Sequence, residues 1–471
     1  MTTTISALFK ELYTQFEPSP LEDKDTHFGI VQCHVAEETV SLVDMEYEFI
    51  FMLDRSTSMN QRCADGKTKL YHVIHTMKNI LGYLCEHPTI RHHIIIETFD
   101  DDVHLIVERC VVNADTYPNL IHILNKVKPD GSTNIEAALN SIKKRTLSLD
   151  DANANKKIVQ LFMTDGYATM GETNSDLLFQ LVLPNVTNIF IGLGIDHDTS
   201  LLEKLSNIKQ GSYYFIDALE KSNIVYGEIM HDLLFQRLQR ISLHVTQGSI
   251  YDYVKNQWLD TLSIDYLSSG AIKTFHLQSS CPTECVVTLT GETVDGTNVS
   301  IPLTNRFAEP LTKYVFRQKT LEHLYDVRMY FRNHPIDHSI DNHSMEKGIL
   351  KKNIKDKLTA FLEELKQYRT EHDLLEDPFY GLLEEDIAVT LKMFDTMYAS
   401  MFSWARQTSQ GSQRGYSANL PVMNMQSASQ MNWMGDYEDL FTQVKQYTPS
   451  PYLTKAVNQF TQTMDNMGKN K

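Results

Sequence analysis

Basic residues are scarce in this chain relative to acidic ones, cysteines are few, and no apolar run is long. Lysine and arginine number 43 against 60 aspartates and glutamates, for a formal net charge of −17. That balance argues against a general nucleic-acid binder and against docking on an anionic membrane surface. It leaves cation binding open. The longest apolar stretches, such as "RHHIIIETF" and "NIFIGLGI", have the length of strands. A membrane-spanning helix needs about 20 residues. Six mostly scattered cysteines in 471 residues fit a reducing compartment. Cys281 and Cys285 frame "CPTEC", and no second Cys or His pair at zinc spacing lies nearby. A loop is expected there rather than a disulfide or half a metal site. Also missing are G-x-x-x-x-G-K-[ST], G-x-G-x-x-G and G-x-S-x-G, which would cradle phosphates or present a hydrolase serine.

The first residues, "MTTTISALFKELYTQFEPSP", lack a basic opening segment. They place Lys10, Glu11 and Glu17 where a signal peptide's apolar core would sit or end,. They read as a short amphipathic helix stopped by Pro18, and the chain as cytoplasmic.

A chain of 471 residues is too long for one ordinary core. Between Met45 and about Arg240, strand-like and helix-like segments alternate. Strands are expected at Tyr47–Leu53, His93–Phe99, Val103–Val112, Ile158–Met163, Asn188–Leu193 and Ser212–Ile216. Most are short apolar runs, as in parallel strands covered on both faces. Val103–Val112 follows the acidic turn Asp100–Asp102 and reads as an antiparallel edge strand. In "LYHVIHTMKNILGYL", Leu70, Val73, Ile74, Met77, Ile80, Leu81 and Leu84 form one helical stripe,. This alternation predicts an open α/β sheet with helices on both faces.

The texture then changes. From 241 to about 310 strand-like pieces follow one another, and Asp295-Gly296 marks a hairpin. An antiparallel β-sandwich is expected, joined by strands from residues 1–44, so that the α/β domain at 45–240 is an insertion. Residues 311–406 read as helical, with a long helix over 349–368 and another over 382–404 packed antiparallel. Residues 407–471 are polar and read as loop or partly disordered, with "DYEDLFTQVKQY" as a last short helix.

One strand ends in a comb of hard oxygens. Asp54, Ser56 and Ser58 form D-x-S-x-S directly after "EYEFIFML". Ligands of open α/β sheets bind beyond the carboxyl ends of the strands. Carboxylate and hydroxyl oxygens without His or Cys suit Mg²⁺, or Mn²⁺. Two more segments supply oxygens: "PDGSTNIEAAL" carries Thr133, and "LFMTDGYAT" places Asp165 after another buried strand. Taken together and in this order, the three segments resemble the von Willebrand factor type A domain and its metal-ion-dependent adhesion site, over roughly Met45 to Arg240. The resemblance implies a Rossmann-like fold with a mostly parallel six-stranded sheet. It implies Ser56, Ser58 and Thr133 as direct ligands of Mg²⁺ (or Mn²⁺ or Ca²⁺). Asp54 and Asp165 are then anchors that act through water or hydrogen bonds. With few charged oxygens on the ion, its open position favours a Glu or Asp carboxylate from a partner protein. Thr57 departs from the family, which most often has Gly between the two serines. A side chain there is expected to crowd the turn or alter its φ and so to weaken the hold on the ion.

The layout resembles intracellular multi-domain proteins in which such a domain precedes a β region and a helical region. The expected function is a non-enzymatic protein-binding module. The alternatives are a scaffold subunit with an idle metal site and a Mg²⁺-dependent hydrolase, for which no nucleophile or base is assigned. His72, His75, His92 and His93 have no matching acidic cluster in the sequence and read as ordinary histidines. Asp100–Asp102 reads as a solvated turn.

Overall fold

The computed structural model describes residues 8–17, 26–37, 45–63, 65–149, 156–217, 219–306, 310–334, 345–416 and 450–469. Two strands come first, β1 (Phe9–Glu17) and β2 (His27–Val35). There follow β3 (Glu46–Asp54), α1 (Lys69–Glu86), β4 (Arg91–Phe99), β5 (Val103–Cys110), α2 (Tyr117–Leu124), α3 (Ile135–Leu149), β6 (Lys156–Thr164), α4 (Ser175–Phe179), β7 (Thr187–Leu193), α5 (Thr199–Ser206), β8 (Gly211–Ile216) and α6 (Ser222–Leu234). The chain divides into two compact units, one built on Val40–Ile229 and Gln459–Lys471, the other on Met1–Thr39, Met230–Ser417 and Tyr447–Asn458.

The first of these units holds a six-stranded sheet in the order β5-β4-β3-β6-β7-β8. All neighbours are parallel except β5, which runs antiparallel to β4 at the edge. β3 lies inside this sheet, and Tyr47, Phe49, Ile50, Phe51, Met52 and Leu53 are all buried. An apolar run of this kind has no polar face to turn to water, which selects the central parallel position. α1 begins where the Thr68 side chain accepts a hydrogen bond from the Tyr71 amide at 3.1 Å, satisfying an orphan donor of the first turn. Its apolar stripe is buried from Leu70 to Leu84. The chain leaves β3 toward β4 and later crosses to β6 on β3's other side. The carboxyl ends of β3 and β6 therefore flank the sheet's topological switch point.

The second unit continues with β9 (Gln236–Thr246), β10 (Ser249–Asp252), β11 (Gln257–Leu259), β12 (Thr261–Ser268), β13 (Ile272–Ser279), β14 (Val286–Thr293), β15 (Asn298–Pro302) and β16 (Thr304–Arg306). One sheet has the order β11-β10-β13-β2-β1-β16 and the other β12-β9-β14-β15. They share one apolar cluster, with Val31, Cys33, Ile250 and Leu277 from the first and Leu243, Val287, Leu289 and Ile301 from the second. The hairpin at Asp295-Gly296 turns with Gly296 at φ 81°. The "CPTEC" segment is a tight turn in which the amides of Glu284 and Cys285 donate to the Cys281 carbonyl. Both cysteines are free thiols.

Helices α7 (Thr312–Asn333), α8 (Met345–Glu371), α9 (Pro378–Met393) and α10 (Ala399–Ser412) complete this unit, and α11 (Lys455–Lys469) ends the described chain. Leu324, Val327, Leu358, Phe361, Leu383, Ile387 and Phe394 form the helical core.

Three expectations are corrected. Phe9–Glu17 is a strand, not a helix, and pairs with β2 and β16. Its apolar residues fit either period over so short a run, and pairing on both sides decides for the strand. The helix expected over 382–404 is two, because the chain turns between Met393 and Ala399. Residues 407–412 continue α10, and Gln407 and Gln410 are fully buried; their polarity serves hydrogen bonds inside the protein. The short helix expected in "DYEDLFTQVKQY" lies outside the described residues.

Candidate metal centre

The five oxygen-bearing residues named from the sequence come together at the carboxyl ends of β3 and β6. Asp54 closes β3, and Asp165 follows the last residue of β6; both are completely buried. Each spends both carboxylate oxygens on protein donors. Asp54 Oδ1 accepts from the Ser56 amide at 2.7 Å, and Oδ2 from the Thr164 hydroxyl at 2.5 Å. Asp165 Oδ1 accepts from the Ser58 hydroxyl at 2.6 Å, and Oδ2 from Lys69 Nζ at 2.8 Å. The Ser56 and Ser58 hydroxyl oxygens are 2.9 Å apart. A serine has one hydroxyl proton. Ser58 gives its proton to Asp165, so Ser56 donates to Ser58. The protons of this relay run inward toward Asp165, and Ser58 itself is exposed.

Thr133 is brought in by the glycine after Asp165. A Cβ on Gly166 would lie 3.2 Å from Thr133 Oγ1 and 3.8 Å from Ser58 Oγ. The two hydroxyls thus face one narrow space that a side chain would enter. The Thr133 amide donates to the Thr169 hydroxyl at 2.9 Å, and the Thr133 carbonyl accepts from the Thr169 amide at 3.0 Å. Asn134 caps α3 by accepting from the Ala137 amide at 3.0 Å, so the helix start fixes the loop.

In the acidic turn Asp101 and Asp102 are exposed, as expected of a hairpin tip, while Asp100 departs from the reading of a solvated turn. Asp100 is buried and ion-paired with Arg55, and it accepts from His104 across 3.1 Å. Its carbonyl takes the Asn134 amide at 2.9 Å, while Asp101 takes the Ser132 amide at 2.7 Å. Gly131, at φ 67°, passes so close that a Cβ would come within 3.0 Å of Asp100 Cβ. The turn clasps the Thr133 loop against the sheet.

Thr57 does not crowd the serine turn. Its φ is not positive, so the site never needed glycine's freedom. Its amide and hydroxyl both donate to the Gly131 carbonyl, at 3.1 and 2.9 Å. The side chain that departs from the family's habit ties the first oxygen segment to the second.

Burial pushes the Asp54 carboxyl up to about 7, with the Asp165 carboxylate adding to it and the Ser56 and Thr164 hydrogen bonds opposing. Two buried acids this close call for positive charge. The protein supplies one, Lys69, itself 5% exposed.

A second acidic group lies at the opposite end of the sheet. Ligand atoms of Glu46, Glu48 and His93 fall within 4.8 Å of one another, so His93 does have the acidic neighbours that its sequence context did not reveal. Arg109 already pairs with Glu48, and its Nη2 lies 2.9 Å from His93 Nδ1. Lys156 Nζ comes to 3.6 Å of Glu48. The cluster is an ion-pair network that holds its own cations.

Residues 49–167 match the family model described as von Willebrand factor type A domain. Over that segment the chain is similar to a von Willebrand factor type A domain. The match takes in all five oxygen-bearing residues and Lys69. A curated relative, inter-alpha-trypsin inhibitor heavy chain H2 of Sus scrofa, is 26% identical over 225 residues, 44% of this chain and 22% of that protein. The chain thus spans under a quarter of that relative's length. Among solved structures, a von Willebrand factor type A protein from Catenulispora acidiphila is similar over 81% of this chain and 91% of its own, at 13% identity and a TM-score of 0.46. Proximal thread matrix protein 1 from the mussel byssus, solved with zinc occupying its MIDAS motif, is similar over 40% of this chain and 46% of its own, at 17% identity and a TM-score of 0.31.

Sequence reasoning missed four residues that support the site. Thr164 was visible only as part of Thr-Asp-Gly, although it holds Asp54. Asp100 and Asp101 looked like a turn. Lys69 sits in "GKTKLYHV", which reads like any exposed lysine at the start of a helix.

Proposed function

We propose that the cluster at the ends of β3 and β6 is a divalent-metal site and that the domain uses it to bind a partner protein through an acidic residue. Ser56, Ser58 and Thr133 would hold the ion directly, with Asp54 and Asp165 behind them. One observation carries the reading: both oxygens of both aspartates are already committed to protein donors. The hydroxyls are what remains to face an ion. Neutral hydroxyl oxygens suit Mg²⁺, Mn²⁺ or Ca²⁺. They leave most of the ion's charge uncompensated, so its remaining position favours a carboxylate. The bound ion's chemistry is that of a bridge, completing its shell with a ligand from a second protein. Nothing in this reading requires turnover, and we read the module as non-enzymatic. The two sheets of the other unit we read as a β-sandwich.

The test is capture of an acidic probe. A peptide carrying one glutamate should bind immobilised protein in Mg²⁺, be released by EDTA, and fail to bind when the glutamate is glutamine. Binding that ignores both EDTA and that exchange contradicts the proposal.

A further inference from the structure

Lys69 is placed where a lysine is poorly suited, and the site explains why. It is the first residue of α1, directly after the Thr68 cap. A cation there opposes the helix dipole, and burial of an ammonium disfavours its charge. Even so, Lys69 is buried, with Nζ 2.8 Å from Asp165 Oδ2 and 3.8 Å from Asp196 Oδ2. The rest of the residue is also fixed. Its amide donates to the Gln61 carbonyl at 3.0 Å, just past the serine turn. Arg62 and Thr68 form an isolated bridge that closes the intervening loop. The end of the side chain lies against Gly194, where a Cβ would come within 3.2 Å of Cε.

We infer that Lys69 is a positioning residue of the metal site, a resident cation that weakens divalent-ion binding and keeps the bound ion electrophilic. The inference rests on the metal reading above. By holding Asp165 Oδ2, Lys69 leaves Asp165 one oxygen, which is engaged with Ser58. An entering divalent ion then meets a half-compensated carboxylate and a like charge beyond it. The ion is held less tightly and keeps more of its charge for an incoming carboxylate. Without metal, Lys69 is the one cation paired with Asp165 among the described residues. Metal and lysine are therefore partly interchangeable at that carboxylate.

The test is Mn²⁺ binding by calorimetry, with thermal unfolding alongside, for the full chain and for Lys69→Met and Lys69→Arg. Lys69→Met should bind Mn²⁺ about tenfold more tightly than wild type, the scale of one nearby charge at partial screening. Its metal-free form should melt earlier, and Mn²⁺ should raise its melting temperature more than that of wild type. Lys69→Arg, which keeps the charge, should bind Mn²⁺ like wild type. A purely structural lysine would give equal or weaker Mn²⁺ binding in Lys69→Met, which overturns the inference and leaves the metal site standing. If Lys69→Met folds only with Mn²⁺, the ion has replaced the lysine and the inference holds; if saturating Mn²⁺ leaves it unfolded, the inference fails. A wild type that takes no Mn²⁺ overturns the metal reading itself, and this inference with it.

Discussion

Each of the two units buries a carboxylate against a cation, and the two arrangements differ in whether they reach the surface. In the helical core, Asp386 is fully buried, pairs with Arg406 and accepts from Gln410 Nε2 at 2.6 Å. Gln410 in turn accepts from the Tyr452 hydroxyl at 2.7 Å, and its carbonyl takes Arg317 at 2.7 Å. Long side chains cross between elements and return to the protein, and Arg406 is completely covered. At the sheet, Asp165 pairs with Lys69, but its other oxygen holds the hydroxyl of Ser58, which is exposed. Helix faces place a buried charge between other elements. Strand ends place it beneath a turn that water and ions can reach. The closed cluster is sealed among packed elements, and the open one has Ser58 at the surface.

That contrast can be broken most forcefully at Arg406. Arg406→Met strands Asp386 in the core and should lower stability by about 3–5 kcal/mol, seen as an earlier unfolding transition that no divalent ion restores. If Mn²⁺ restores it, the two clusters are not different in kind.

Thr164→Val sharpens the open side. It removes one of the two donors to Asp54 with little change of shape. Metal affinity should fall about 10- to 100-fold, as for other groups that orient ligands from behind. A calorimetric titration that matches wild type would show that Asp54 needs no such support.

His276 probes the closed side through pH. Burial, then the neighbouring Arg317, holds its imidazole down at about 3, and it faces Gln318 Oε1 at 2.7 Å. The unfolded chain takes up this proton below about pH 6.5, while the folded chain stays neutral until about 3. Stability is therefore lost as pH falls through that window, about 2 kcal/mol by pH 5. Urea midpoints should drop from pH 7 to 5, and His276→Gln should flatten that slope. An equal slope in both proteins would contradict the assignment.

The smallest effect belongs to Thr57→Gly. It deletes the hydroxyl bond to Gly131 and should cost about 1 kcal/mol, with metal affinity changed less than by Thr164→Val. A gain in affinity would restore the view that the side chain crowds the turn.

What was legible in the sequence follows from what each pattern depends on. The strands β3, β4, β6 and β7 were readable because burial on both faces leaves an unbroken apolar run. The comb at Asp54, Ser56 and Ser58 was readable because it is local and sits at a strand end. Thr133 and Asp165 became readable by resemblance, since only the fold brings them near. Lys69 was not readable, because its role depends on an acid 96 residues away. Asp100 was misread for the same reason, its partner Asn134 lying on another loop. Phe9–Glu17 and residues 407–412 were misread because partners distant in the chain decide the state of each, as strand pairing at one and as buried hydrogen bonding at the other.

The central claim is that the three oxygen segments make one ion site. Titration of Mg²⁺ into wild type and into Asp54→Ala tests it most directly. Wild type should bind one ion per chain saturably, and Asp54→Ala should lose that binding. No saturable binding to wild type, or equal binding by both, would contradict it.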